Sequence, residues 1–455
     1  MCRSCNTCPK IKTSSRKPQR RLTFATLRSQ LRCWPARDTA NGFGVISWGN
    51  TAQWSGLPIS NLRDKLLIRK AGLSMYRTVT LPLTIFLVFW LAACGSGAGH
   101  HNTAASSALA SGNGFLYVSD STQNDIFGFR IDNFSGTLTA VAGSPFPATG
   151  GAPGRLAVDH TQRFLFGLSA SPAALAGYLI DGQVGTLTAS GSVPVDTDPH
   201  SLATHPSANF VYVLSGNAVT GFSFDSNGLL TALPNSRQVV SAPATQGIAI
   251  DSTGTLLFIT LQSGLSAYQI GTDGSLTLLT LPNLNAGLSP IHLATDPVAN
   301  LIFSVGNTDA SQGGLFGWAF NGGVGLNVGF TPAPGTPVAA DTTPVWVTVV
   351  PSGAFVYVAA GANGNGQILG YSLSAAGQPV PVGGSFPVTP NPAQLVVDPS
   401  GSFLYSMNVA LPGAPPVSAS SNFSGFLIGQ AGALTAVSVS AANIASPGGM
   451  AISRK

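Results

Sequence analysis

The feature that most constrains this 455-residue chain is a motif that recurs seven times after residue 113. Each copy has a short aromatic and aliphatic segment that follows a turn, and successive copies are spaced 45 to 54 residues apart. The central residues of these segments are Tyr117, Phe166, Tyr212, Phe258, Phe303, Tyr357 and Tyr405. A regular period of this length indicates an array in which every repeat is one supersecondary unit.

Every repeat also has the same internal order of four short apolar segments separated by turns. In the second repeat they are residues 156–158, 164–166, 176–178 and 185–188. Four short strands per repeat are typical of a propeller blade. The chain has 54 Gly, 32 Pro and no Glu, a composition that disfavours helices. The sequence therefore predicts an all-β, seven-bladed β-propeller built from four-stranded antiparallel blades.

The two ends of the repeat array complement each other. Gly114 leads directly into Phe115, so the first repeat lacks its opening strand. Residues 447–452 match the opening strand of the second repeat, residues 153–158. We therefore expect the C-terminal strand to complete the first blade and to close the ring.

Charge and cysteine content exclude several classes of function. After Cys94 the chain has six basic residues against 14 Asp, which argues against a nucleic-acid-binding body. No Cys follows Cys94, so the repeat array has no disulfide. Cys2, Cys5 and Cys8 lack a nearby fourth ligand, and we expect no metal site and no cofactor.

The segment before the repeats carries an export signal. Residues 78–91 are an apolar run of 14 residues after a short basic start, which is shorter than the roughly 20 residues of a membrane span. They precede Leu91-Ala92-Ala93-Cys94, which resembles a bacterial lipobox. An ordinary transmembrane helix is the alternative.

The lipobox interpretation divides the chain into four parts. Residues 1–74 are then an upstream, disordered extension that is not native to the protein, and residues 75–94 are a lipoprotein signal peptide. Residues 95–113 are a flexible linker, and residues 114–455 are the propeller. We expect an exported, monomeric lipoprotein of the bacterial cell envelope, held at the outer membrane by acyl chains on Cys94.

The repeat resembles the seven-bladed lactonase family, which includes bacterial 6-phosphogluconolactonase and a fungal muconate cycloisomerase. The phrase GTLTAVAGSPF at residues 136–146 is typical of bacterial members. The resemblance implies a site with one His, an Arg-His pair and a Glu. His200 and His292 match the two histidines, whereas Ile291 and Asn307 stand where the family has Arg and Glu. The chain therefore lacks the general acid/base and the anion-binding cation at those positions.

The candidate site residues have two interpretations. His200 and His292 either line a pocket at the mouth of the central channel or are structural residues between blades. Asp120, Asp125, Asp196 and Asp198 are a candidate acidic rim for a cation or a sugar, but they are equally consistent with solvated loop charges. Asn307, at the position of the family's Glu, is a further candidate binding residue. The recurring aspartates Asp159, Asp251, Asp296 and Asp398 indicate turn capping instead.

Three functions follow from these residues. The first is a non-catalytic envelope protein that binds an unknown small molecule or protein at the channel mouth. The alternative is a lactone hydrolase, a carboxylic ester hydrolase that acts on a sugar or carboxylic lactone through His200 or His292. The third is a surface scaffold without a small ligand.

The lipobox makes a direct prediction about acylation. Replacing Cys94 by Ser removes the thiol that accepts the diacylglyceryl group, so we expect the variant to lose fatty-acid labelling and to leave the membrane fraction. Metabolic labelling and fractionation of cells that express either form measure both properties. A Cys94→Ser protein that still labels and sediments with membranes would overturn the lipoprotein interpretation.

Overall fold

A computed structural model describes residues 114–280, 289–307, 312–321, 328–361, 366–388, 390–409, 423–439 and 444–455. The expected extension, signal peptide with Cys94, and linker lie outside these residues. Within them, no helix has the length and apolarity needed to cross a membrane.

The described strands form seven antiparallel sheets, each with four main strands, and this confirms the predicted seven-bladed propeller. Blade 1 comprises β1 (Gly114–Asp120), β2 (Asp125–Ile131), β3 (Leu138–Ala140) and the short β4 (Phe146–Pro147). Blade 2 comprises β5 (Pro153–Val158), β6 (Phe164–Ala170), β7 (Ala173–Ile180) and β8 (Leu187–Pro194). Blade 3 comprises β9 (Pro199–Thr204), β10 (Phe210–Ser215), β11 (Ala218–Phe224), β12 (Leu230–Ala232) and the short β13 (Gln238–Val239).

The remaining strands follow the same order. Blade 4 comprises β14 (Ala244–Ile250), β15 (Leu256–Leu261), β16 (Gly264–Ile270) and β17 (Leu276–Leu278). Blade 5 comprises β18 (Ser289–Thr295), β19 (Leu301–Asn307), β20 (Gly313–Phe320), β21 (Phe330–Pro332) and the short β22 (Val338–Ala339). Blade 6 comprises β23 (Pro344–Val349), β24 (Phe355–Ala360), β25 (Gln367–Leu373) and β26 (Pro379–Pro387). Blade 7 comprises β27 (Asn391–Val397), β28 (Phe403–Val409), β29 (Phe423–Ile428) and β30 (Leu434–Val437). The last strand is β31 (Pro447–Arg454).

The first strand of each blade in the repeat order lies innermost. These strands are β5, β9, β14, β18, β23, β27 and β31, and each contacts the inner strands of the two adjacent blades. The seven inner strands therefore surround a central channel, into which their N-terminal residues bring side chains from every blade. Apolar clusters between adjacent sheets form the core.

Where the repeated aromatic residue of the second strand is a tyrosine, its hydroxyl bonds to the blade that follows. The Tyr117 hydroxyl donates a hydrogen bond to the carbonyl oxygen of Gly185 in blade 2, at 2.9 Å. Phe115 packs against the same glycine, whose φ of 82° and lack of a side chain allow the close approach. Tyr405 makes the equivalent bond from blade 7 to Gly136 of blade 1, at 2.8 Å. This contact explains why a repeat with tyrosine is followed by a glycine at this turn of the next repeat.

The recurring aspartates cap the turns that follow the inner strands, as predicted. Asp159 accepts backbone N–H bonds from Thr161, Arg163 and Phe164. Asp398 and Asp251 accept the equivalent bonds in blades 7 and 4. Each carboxylate thus satisfies donors that the turn would otherwise leave unpaired.

The C-terminal strand closes the ring as the innermost strand of blade 1. β31 pairs antiparallel with β1, with Tyr117 opposite Ala451 and Val118 opposite Met450. From blade 7, the side-chain amide of Gln394 bonds both backbone groups of Met450, at 2.8 and 2.9 Å. Met450 is fully buried between the two blades. The strand therefore joins the first blade to the last.

Deleting residues 446–455 should destabilise the whole propeller. The deletion removes a ladder of backbone hydrogen bonds worth about 0.5–1.5 kcal/mol each, and the burial of Met450, worth about 1.5–3 kcal/mol. The summed loss of roughly 5 kcal/mol or more is comparable with the stability of a typical domain. We expect a far lower melting temperature, and aggregation because strand edges become exposed.

Differential scanning fluorimetry and size-exclusion chromatography measure this outcome. The matched control is deletion of Lys455 alone, since that residue follows the strand and is exposed. A 446–455 deletion that melts like the control and stays monodisperse would show that β31 does not hold the ring together.

Candidate functional site

Every inner strand has an irregular register near its N-terminal end. In blade 2, for example, Pro153 pairs with Ser169 and Arg155 pairs with Leu168, so Gly154 has no partner. Similar shifts occur in the other six blades. Bulges of this kind change the direction of a side chain and are frequent near binding sites. Aligned by repeat, the inner-strand segments begin at residues 153, 199, 245, 290, 344, 392 and 447, and we call the third residue of each segment its third position. The residues at this position are Arg155, Ser201, Gly247, His292, Trp346, Gln394 and Gly449.

These positions contribute to a cavity of about 390 Å³ along the channel. Five of the seven third-position residues line it, namely Arg155, Ser201, His292, Trp346 and Gln394. Most of the remaining lining is aliphatic, and none of the described lining residues carries a carboxylate. The volume and the mixture of aliphatic walls with a few polar groups are those of a small-molecule site.

Arg155 brings a positive charge to this cavity. Its Nη1 donates to the carbonyl oxygens of Gly154 and Gly448, at 2.9 and 3.1 Å, and its Nη2 donates to Oε1 of Gln246 at 2.9 Å. Its Nε is buried, and no hydrogen-bond partner for it occurs among the described residues. The guanidinium carbon lies 5.8 Å from the ring centre of Trp346, on another blade of the ring. Burial lowers the pKa of Arg155, but a guanidinium stays protonated at neutral pH.

His292 lies on the same side of the cavity, stacked on Trp346. The two ring centres are 3.6 Å apart, and the backbone N–H of Val347 donates to His292 Nδ1 at 3.4 Å. Burial, and secondarily the charge of Arg155, lower the pKa of His292 to about 3. The imidazole is therefore neutral at physiological pH and is a weak base.

His200 lies at the channel mouth, where it pairs with Asp198. The His200 Nε2 and Asp198 Oδ2 atoms are 3.1 Å apart, and the carboxylate is largely exposed. Asp198 has a φ of 59°, in the left-handed region that few non-glycine residues adopt. Both residues line a mouth cavity of about 330 Å³, together with Arg155 and Gln246. The structure therefore places two predicted residues, Asp198 and His200, beside Arg155.

Asp120 and Asn307 are located away from these groups. Asp120 is buried, and its carboxylate accepts backbone N–H bonds from Thr122, Gln123 and Ala445. These bonds connect the end of β1 to the segment before β31. Asn307 ends β19, and its Oδ1 is buried without a hydrogen-bond partner among the described residues. Neither residue lines the channel cavity or the mouth cavity.

Arg155, Trp346 and Gln246 were not among the residues predicted from the sequence. The resemblance directed attention to Ile291, where the family has Arg, and the missing cation was inferred from that position alone. The signal was nevertheless present, because Arg155 and Trp346 occupy the same repeat position as His292. An alignment of the seven inner-strand segments on their third position reveals Arg155 and Trp346, whereas Gln246 lies one residue before that position.

The pKa of His292 predicts how its ring behaves on titration. We expect its ring nitrogen signals to show no protonation between pH 8 and pH 5, as measured by long-range ¹H–¹⁵N correlation spectra. Because its folded pKa lies below that of an unfolded histidine, about 6.5, the stability that His292 contributes is complete above that pH. This contribution decreases as the pH falls below 6.5.

Arg155→Met provides the matched variant. Removing the positive charge should raise the pKa of His292, but it should remain below 6.5, because burial is the larger cause. Titration of His292 between pH 5 and pH 8 in the wild-type protein would contradict the buried, neutral imidazole.

Comparisons with known proteins agree with this architecture. The sequence profile described as "Lactonase, 7-bladed beta-propeller" matches residues 90–197. The 6-phosphogluconolactonase of Yersinia pestis (strain Pestoides F) is 24% identical over 301 residues, which cover 64% of this chain and 85% of that protein.

Solved structures are similar in fold. A structure from Bacteroides uniformis ATCC 8492 matches with a TM-score of 0.61 and 17% identity, over 74% of this chain and 98% of that one. The periplasmic gluconolactonase of Pseudomonas aeruginosa matches with a TM-score of 0.56 and 18% identity, over 75% of this chain and 99% of that one. The resemblance seen in the sequence is thereby confirmed, and the chain is a lactonase-like seven-bladed β-propeller.

Proposed function

We propose that this propeller is a ligand-binding protein of the bacterial cell envelope, and that its channel binds a small molecule with a carboxylate group. The observation that carries the proposal is the environment of Arg155. Its three hydrogen-bond acceptors are neutral oxygens, and no carboxylate pairs with it among the described residues. A partly buried cation without an anionic partner among the described residues favours binding of an anion.

The surroundings of Arg155 favour a small organic acid. A guanidinium matches a carboxylate in geometry and charge, and the hydrogen bonds between them are stronger than those between neutral groups. The indole of Trp346 and the aliphatic wall suit the carbon skeleton of the ligand. Two similar proteins are described as a 6-phosphogluconolactonase and a gluconolactonase, which makes a sugar acid the first ligand to test.

The same residues favour binding over catalysis. The chain has no Glu, and Asn307 stands where the resemblance places the general acid/base. Within the channel cavity, His292 has a pKa of about 3, too low for a base that works near neutral pH. We infer that the catalytic pair of the family has been replaced, while Arg155 provides a cation from another repeat.

The proposed location rests on the leader. The apolar run and the Leu91-Ala92-Ala93-Cys94 sequence support export and acylation, and Gly95 after the cysteine supports sorting to the outer membrane. In this arrangement the acyl chains hold the propeller at the membrane, and the channel takes its ligand from outside the cytoplasm.

One observation favours lactone hydrolysis as the second candidate. The His200–Asp198 pair is open to solvent and lies beside Arg155 in the mouth cavity. In a hydrolase, His200 would remove a proton from water, Asp198 would orient the imidazole, and Arg155 would stabilise the negative oxygen of the attacked lactone.

Titration calorimetry of the purified full chain with gluconate tests the binding proposal. We expect saturable binding by the wild type and a loss of affinity of at least about tenfold in Arg155→Met, since hydrogen bonds to charged groups contribute about 1.5–3 kcal/mol. Arg163→Met is the matched control, because Arg163 lies over the Phe164 ring, away from the channel cavity. Absence of gluconate binding by the wild type, or equal affinity in Arg155→Met, would refute the proposal.

The two candidates are separated by an activity assay on glucono-δ-lactone. Hydrolysis above the buffer rate that His200→Ala abolishes would favour the hydrolase over the binding protein. If no organic acid and no lactone shifts the melting temperature, the scaffold without a small ligand is favoured instead.

A further inference from the structure

The hydrogen bonds of Arg155 divide its donors into two groups. Nη1 donates to Gly154 and Gly448, whose backbone carbonyls belong to two adjacent inner strands. These bonds hold the guanidinium in place through main-chain atoms. Nη2 instead donates to a side chain, that of Gln246 on blade 4. Of the three oxygens around the cation, only the one from Gln246 can move without moving a strand.

Gln246 is positioned to be exchanged. It is exposed, and it lines the mouth cavity with His200 and Asp198, whereas Arg155 lines both the mouth cavity and the channel cavity. The bond to Arg155 is the one side-chain hydrogen bond shown for Gln246 among the described residues. A ligand that enters from the mouth therefore meets the Gln246 amide on its way to the guanidinium.

The chemistry of the two oxygens determines which is preferred. An amide oxygen carries only a partial negative charge, so it satisfies the geometry of Nη2 but leaves the charge of Arg155 uncompensated. A carboxylate oxygen satisfies both, and charge-assisted hydrogen bonds are roughly twice as strong as neutral ones. An exposed glutamine side chain also regains rotational freedom when it is released.

We propose that Gln246 is a neutral substitute for the ligand, and that a carboxylate displaces its amide from Arg155 on binding. This inference rests on the proposed function and adds the residue that sets the affinity and charge preference of the site. Gln246 competes with the ligand for Nη2, so a stronger competitor at position 246 weakens binding. Removing the Gln246 amide altogether does not weaken ligand binding.

The alternative is that Gln246 positions Arg155 for the ligand. The two roles predict opposite effects of the same substitution. If Gln246 competes, Gln246→Ala leaves gluconate affinity unchanged or increases it. If Gln246 positions the guanidinium, Gln246→Ala decreases affinity. The sign of the change in Kd therefore separates them.

The experiment is titration calorimetry of the full chain with gluconate, using the wild type, Gln246→Ala and Gln246→Glu. In Gln246→Glu, the new carboxylate lies within reach of Nη2 and forms an internal ion pair, so we expect gluconate to bind about tenfold more weakly or worse. Gln262→Glu is the matched control, because Gln262 is exposed on a second mouth cavity and is not bonded to Arg155. We expect it to bind like the wild type, which excludes a long-range charge effect.

Weaker binding by Gln246→Ala, or wild-type affinity in Gln246→Glu, would overturn the competition while leaving the proposed ligand site intact. Equal weakening by Gln246→Glu and Gln262→Glu would also overturn it, because a general charge effect would then explain the loss. If the wild type binds no gluconate, the proposed function fails together with this inference. The exposed position of Gln246 keeps all variants foldable, and their melting temperatures verify it.

Discussion

The ring depends on one contact that is repeated between blades, from the aromatic second strand of one blade to a glycine turn of the next. The tyrosine hydroxyl is buried in an apolar interface, and the glycine carbonyl satisfies it, as in the bond from Tyr357 to Gly432 at 2.8 Å. Where the repeat has Phe, as at Phe166 and Phe258, the ring is equally buried but has no hydroxyl to satisfy. The four tyrosines make this bond in the same direction, from blades 1, 3, 6 and 7 to the blade that follows, and the bond from Tyr405 joins blade 7 back to blade 1.

Ring closure places seven strand ends around one channel. Few charged side chains lie there. Two basic residues outside the channel have clear partners: Arg237 forms an ion pair with Asp196 at 3.0 Å, and the guanidinium of Arg163 lies over the ring of Phe164. Of the lysines and arginines that the structure describes, Arg155 is the one that lines the channel cavity, and its hydrogen bonds go to neutral oxygens. The buried carboxylates of Asp120, Asp159, Asp251 and Asp398 accept backbone N–H bonds at turns, which gives them a structural role. The charge of Arg155 meets only neutral oxygens, so a role in binding accounts for it best.

The fold was predictable from the sequence because its determinants are local and repeated. A turn aspartate such as Asp159, an aromatic such as Tyr117 and a glycine such as Gly185 are each visible in a short segment, and their period gives the number of blades. The closing strand was predictable for the same reason, although its place as the innermost strand required the structure.

The site was only partly predictable because its contacts join distant parts of the chain. His200 and Asp198 are close in sequence, so their pairing is local. Arg155 and Trp346 belong to blades 2 and 6, and no local pattern reveals that the guanidinium reaches the indole. The bulge near the start of each inner strand is also invisible in the sequence, yet it determines which residue faces the channel.

The third position of the inner strands explains how such a fold can change its chemistry while keeping its ring. Two of the seven positions are glycines, and at Gly449 a Cβ atom would lie 2.8 Å from the Cα of Arg155, so the close approach of adjacent strands excludes a side chain there. A third, Gln394, is engaged in ring closure through both backbone groups of Met450. The remaining positions make their own contacts across the channel, such as Arg155 to Gly448 and His292 to Trp346, whereas the repeated aromatic contacts between blades lie further out along the second strands. Under the proposed function, Arg155, Ser201, His292 and Trp346 determine which ligand the channel binds, and substitutions at these few positions can change the chemistry of the channel while the fold stays the same.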